Sequence, residues 1–138
     1  MPRSQQIFAA DAMAVLAAAW NDRDMICGRD IVWFVDNEAA AASLIRGGSR
    51  EDDVNAIAEA THLLMHTLGC RFWVEWVDSG SNPSDGPSRD GVNCPWCRGI
   101  CLPVTEAGEP PWTDVATTVQ VMADTLLGDC AAVPTDAR

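Results

Sequence analysis

Asp36 carries the strongest chemical signal in the chain. It ends the run Asp30-Ile31-Val32-Trp33-Phe34-Val35, whose consecutive apolar, branched and aromatic residues read as a strand buried on both faces of a parallel sheet. In open α/β sheets, ligands bind in the crevice outside the carboxyl ends of the strands. A carboxylate placed there meets a cation, accepts hydrogen bonds or stays in water. Asp36 or its neighbour Asn37 can equally serve as the cap of the helix that follows. Asp11 is the lone acid in the apolar, alanine-rich run from Ile7 to Trp20. It sits in the first turns of a helix, where the dipole favours a carboxylate. Asp85 follows Asn82-Pro83-Ser84. With Asn82 as cap and Pro83 as first helical residue, Asp85 falls in the first turn of a further helix.

Sulfur and imidazole offer a second chemistry. Cys94-Pro95-Trp96-Cys97, with Cys101 close behind, has the Cys-x-x-Cys spacing that chelates zinc or cycles as a dithiol. A zinc site would need a fourth ligand from Cys130 or a histidine. The tetrapeptide also looks like a glutaredoxin-type active site. In that setting a buried strand precedes the motif, whereas Arg89-Asp90-Gly91-Val92-Asn93 stands here. His62 and His66 share one helical face. Without a Glu beside the first His, the pair reads as structural before it reads as a metal site.

The elements that must position these groups follow from the pattern. A helix is expected over 7–20, after a polar lead-in. The central strand over 31–35 comes next, then a helix over 38–46 stopped by Gly47-Gly48. Ser49 is expected to cap another helix, with Asp52 and Asp53 in its first turn. Val54, Ile57, Leu64 and Met65 give it a buried side, and Gly69 ends it. Arg71 to Val77 alternates as a second strand. A strand–helices–strand order implies a right-handed parallel crossover, which sets the two strands side by side. After the turn-rich stretch 78–89, Pro87 allows only a short helix. A last helix is expected over 113–127, with a disordered tail from 131 to 138.

Composition bounds the function classes. The 138 residues, nearly half of them apolar, suffice for one globular domain. Nine Arg and no Lys against twenty acids leave a net charge of −11. That is the wrong sign for a free-standing nucleic-acid binder and suits a protein that holds divalent cations. No secretory signal or membrane span is read. The six cysteines are therefore expected to be reduced thiols of an intracellular protein.

An Asp early on a helix, a strand ending in Asp-Asn and Asn-x-x-Asp-x-x-Ser-Arg after the next strand together resemble the ribonuclease H-like domain of retrotransposon reverse-transcriptase polyproteins. That family reads W-V-P-x-x-x-N-x-A-D-x-x-S-R where this chain has Trp76-Val77-Asp78-Ser79-Gly80-Ser81-Asn82-Pro83-Ser84-Asp85-Gly86-Pro87-Ser88-Arg89. The similarity runs from Ile7 to Arg89, nearly two-thirds of the chain.

The resemblance implies a ribonuclease H-like three-layer α/β fold, truncated, with a small parallel sheet flanked by helices. Residues 1–90 would be the partial domain, and 91–138 a Cys-containing loop and C-terminal helix. It implies Asp11, Asp36 and Asp85 as catalytic metal ligands for two Mg²⁺ ions, which cleave the RNA strand of an RNA–DNA hybrid. The family opens with a three-stranded meander whose first strand carries a bridging Asp, for which the ten residues before Asp11 are too few. Asp in place of the family's helical Glu retracts the ligand at position 11 by about 1.5 Å. The family's mobile His has no counterpart, Asp78-Ser79-Gly80 standing in its place. The chain alone is thus expected to be weakly active or inactive. The implied partners are the hybrid and an upstream reverse-transcriptase segment, or another polypeptide, supplying the missing strands. The alternative is a small zinc-binding or dithiol module using Cys94, Cys97 and Cys101.

Overall fold

The alanine-rich start folds as helix α1 (Arg3–Asn21) in the computed structural model, which describes residues 3–100 and isolated positions between 106 and 128. Ala12, Val15, Leu16 and Ala19 form its buried stripe, at the spacing that keeps one helical face apolar. Small residues at positions 12 and 19 let α1 lie close against its neighbours. A short helix α2 (Arg23–Ile26) leads into strand β1 (Asp30–Val35). Helices α3 (Glu38–Arg46) and α4 (Asp52–Thr67) then cross to strand β2 (Arg71–Trp76). A 3₁₀ turn (Ser79–Ser81), helix α5 (Asp85–Asp90) and helix α6 (Pro95–Ile100) follow.

The fold is mixed α/β and mostly helical, around a two-stranded parallel sheet. The register runs from Asp30 opposite Arg71 to Val35 opposite Trp76. Leu16, Leu44, Ile57, Leu64 and Met65 make the centre of the core, and Val35 and Val74 join it from the sheet. The buried Thr61 hydroxyl donates to the Ile57 carbonyl at 2.8 Å, so no polar atom of that side chain is stranded.

One strand expectation is corrected. β1 is buried on one face only: Ile31, Trp33 and Val35 turn inward, while Val32 and Phe34 are 55% and 56% exposed. On β2, Trp73 faces out beside them. Among the described residues, α1, α3 and α4 share one core with the inward residues of the sheet, so alternate residues of the apolar run are left largely exposed. The Arg71 guanidinium donates two bonds of 2.8 Å to Asp30 across the strands. Both groups are largely exposed, and such a pair adds little stability.

Two caps also differ from expectation. α4 starts after Glu51 with no side-chain cap. Asn55 reaches back instead, its Oδ1 accepting from the Ser49 N–H at 3.0 Å. α5 begins at Asp85, after Ser84, rather than at Pro83. Asn82 Oδ1 accepts from both the N–H and the hydroxyl of Ser84, a local side-chain turn that competes with helix. The first helix begins at Arg3, inside the expected lead-in. His62 serves structure: its Nε2 lies 2.6 Å from the Leu44 carbonyl and its ring meets Phe72 edge to face. His66 is exposed. Cys101, Cys130, the tail over 131–138 and most of the helix expected over 113–127 lie outside the described residues. The isolated described positions from 117 to 128 are helical.

Candidate metal and nucleic-acid site

The carboxyl end of β1 is where three elements meet. The Val77 N–H donates to the Val35 carbonyl at 3.1 Å, carrying the ladder one residue past β2 before the chain leaves the sheet. Asp36 and Asn37 then turn into α3. Asn37 has two roles at once. Its Oδ1 accepts from the Ala40 N–H at 3.1 Å, capping α3, and its Nδ2 donates to Asp11 Oδ2 at 2.8 Å. One amide thus starts a helix and ties α1 to the strand end.

A cleft opens beside this tie. Asp11 from α1, Asp36 from the end of β1 and Asp85 from the first turn of α5 all line it, together with Glu38, Ser79 and Arg89. The same three aspartates line a second groove, which runs along the outer edge of β1. There Ala14, Val15 and Ala18 of α1 form part of the wall, and Pro87 and Trp96 contribute from α5 and α6. Among the described residues no third strand pairs with that edge. The Trp33 indole N–H, on the same groove, is buried with no partner among the described residues.

The carboxylates are not idle. Asp11 accepts from Asn37, and Asp85 lies 3.1 Å from the exposed Arg89 guanidinium, one turn along α5. Asp78, at the neighbouring turn, accepts a bond of 3.1 Å from the Ser81 N–H. Hydrogen bonding from Ser81, side chain first, then the backbone N–H groups of Ser81 and Gly80, holds its carboxyl below the usual carboxylate range.

The chain matches no family model, curated protein or solved structure. The chemistry on offer is that of the cleft itself. Its donors are oxygens, the ligands hard divalent cations take. Among the described residues no three His, Cys, Asp or Glu side chains are drawn into one ligand shell. The donor set fits Mg²⁺ in kind, and a bound ion would have to compete with Asn37 for Asp11 and with Arg89 for Asp85.

Sequence reasoning marked the three aspartates and missed the Asn37 amide's reach to Asp11. Asn37 was visible only as half of an Asp-Asn pair. Arg89 was visible as the end of Ser-Arg, but its place one turn from Asp85 depends on α5 running through Pro87 to Asp90. The zinc reading at Cys94, Cys97 and Cys101 keeps two described thiols, Cys101 lying outside the described residues.

Asn37→Ala removes both bonds of the amide. Losing an N-cap side chain costs about 1 kcal/mol, and leaving Asp11 without its donor adds to that. A loss of about 1–2 kcal/mol in urea melts is expected, and an unchanged melt would show that the tie holds nothing together.

Proposed function

We propose that residues 1–90 form a partial ribonuclease H-like domain of retroelement origin that binds an RNA–DNA hybrid through Mg²⁺ held at Asp11, Asp36 and Asp85. The observation that carries this reading is that the three aspartates, borne by a helix, a strand end and a second helix, line one cleft. The element order, helix–strand–two helices–parallel strand–helix, supports the same fold.

Electrostatics supports a cation requirement. At a net charge of −11 the chain repels phosphates, and binding must go through bridging ions. Mg²⁺, when bound, would supply the Lewis acidity for phosphodiester hydrolysis. The chain's own residues orient: Asn37 positions the Asp11 carboxylate, and Arg89 offers a cation to a phosphate oxygen. Cleavage by this chain alone is weak in this reading. Two of the three carboxylates have other partners, and Asp11 is one methylene shorter than the family's Glu. The edge of β1, unpaired among the described residues, supports completion of the sheet by another segment, whether upstream reverse-transcriptase sequence or a partner polypeptide, because bare apolar edges invite strand addition.

The test is hybrid binding by fluorescence anisotropy in Mg²⁺ and in EDTA, beside calorimetric Mg²⁺ titration of the native chain and Asp36→Asn. Binding should require Mg²⁺, and Asp36→Asn should weaken the ion by at least about tenfold. Equal Mg²⁺ affinity in the variant, or equal hybrid binding in EDTA, overturns the proposal.

A further inference from the structure

Four described cysteines are free thiols, and two pairs of them differ in kind. Cys27 and Cys70 point their sulfurs at backbone carbonyls, at 3.4 Å and 3.0 Å, in the turns that flank the sheet. Cys94 and Cys97 instead face each other. The first turn of α6 brings the Cys97 N–H to 3.3 Å from the Cys94 sulfur. Cys94 is only 2% exposed, its sulfur 3.3 Å from where a Cβ on Gly86 would stand. Cys97 is partly exposed. Hydrogen bonding with Cys94 pushes the Cys97 thiol up.

We propose that Cys94 and Cys97 are a reversible dithiol site whose substrate class is low-molecular-weight disulfides. This rests on the thiol geometry alone and stands whether or not the cleft binds Mg²⁺. Cys94 stands just before α6 and Cys97 in its first turn, close enough for the Cys97 N–H to reach the Cys94 sulfur. A disulfide takes Cβ atoms about 3.5–4.5 Å apart, a spacing that a small adjustment of the short α6 reaches.

The chemistry balances with the small disulfide as oxidant. Cys97, the exposed thiol, loses its proton to water and attacks one sulfur of R–S–S–R. The S–S bond breaks, a mixed disulfide forms on Cys97, and one R–S⁻ leaves and is protonated. Cys94 then gives its proton to water and attacks the Cys97 sulfur, closing the Cys94–Cys97 bond and releasing the second R–S⁻, which is protonated in turn. Two electrons pass from the protein thiols to the small disulfide, which is reduced to two R–SH. Because hydrogen bonding with Cys94 pushes the Cys97 thiol up, the first step quickens as pH rises through the thiol range.

The probe is oxidised glutathione added to the full reduced chain, with acid quenching, alkylation and peptide mapping. The expected product is an internal Cys94–Cys97 disulfide, reversed by dithiothreitol. It should form at least about tenfold faster than adducts accumulate on Cys27 or Cys70. Cys94→Ser should halt the reaction at a mixed disulfide on Cys97. Should that variant misfold by circular dichroism, Cys97→Ser takes its place and should leave the buried Cys94 unmodified. A native chain that stops at the mixed disulfide, that pairs Cys94 with Cys101 or Cys130, or that carries stoichiometric zinc shielding both thiols overturns the proposal.

Discussion

Leu64→Ala is expected to remove about 3–4 kcal/mol of folding stability, in the middle of the range for a fully buried leucine. Leu64 is 1% exposed on the inner face of α4, in the cluster with Leu16, Leu44 and Met65. Leu16 and Leu44 sit on α1 and α3, which also hold one another, and Met65 is fixed next to Leu64 on α4 itself, so none can slide in to fill the space. The cost is then the lost transfer of the side chain plus the cavity left behind. For a chain of this size the midpoint should fall by roughly 10–15 °C, read by scanning calorimetry beside urea melts. A loss under about 1 kcal/mol would mean that the site collapses and that α4 is not clamped between its neighbours.

Gly47→Ala is expected to cost about 2–3 kcal/mol, from two separable sources. Gly47 ends α3 at φ 71, where a side chain strains the backbone by about 1–2 kcal/mol. An added Cβ would also lie 3.2 Å from His62 Nε2, pressing on the ring that contacts the Leu44 carbonyl. The ring is also in contact with Phe72, 4.9 Å between centroids and edge to face, which restricts its freedom to swing away. A double-mutant cycle separates the terms. In a His62→Ala background the glycine change should cost only the backbone part. If the penalty is the same in both backgrounds, the ring yields and the contact is soft.

The legible parts of the fold were those with strong local patterns. The Glu38–Arg46 helix is flanked by Asn37 and Gly47, both with cap chemistry, and its ends fall where expected. The second strand alternates, and its buried Val74 lies on the apolar face read from that alternation. The first strand misled because a continuous apolar run does not say whether one face or two will be covered. Coverage depends on which elements return to the sheet, which is a tertiary matter. Local competition explains the shifted start of α5: the Asn82 side chain forms its own turn with Ser84 before a helix can propagate.

The candidate site divides in the same way. Asp36 stood out because it ends a continuous apolar run, Asp85 because it follows the helix-starting Asn82-Pro83, and Asp11 because it is the lone acid in an apolar stretch. What joins Asp11 to the strand is an amide 26 residues away in sequence, and no local pattern encodes such a partner. The same holds for His62, whose place against Leu44 follows from how α4 crosses α3.

The outward face of the sheet leaves Val32, Phe34 and Trp73 exposed, and the repulsion from a net charge of −11 opposes the meeting of two such faces. That repulsion vanishes near the isoelectric point, about 4.3, and is muffled by concentrated salt at neutral pH. The preparation should therefore cloud on mild acidification well before its helices melt, and clear again when alkali is added back.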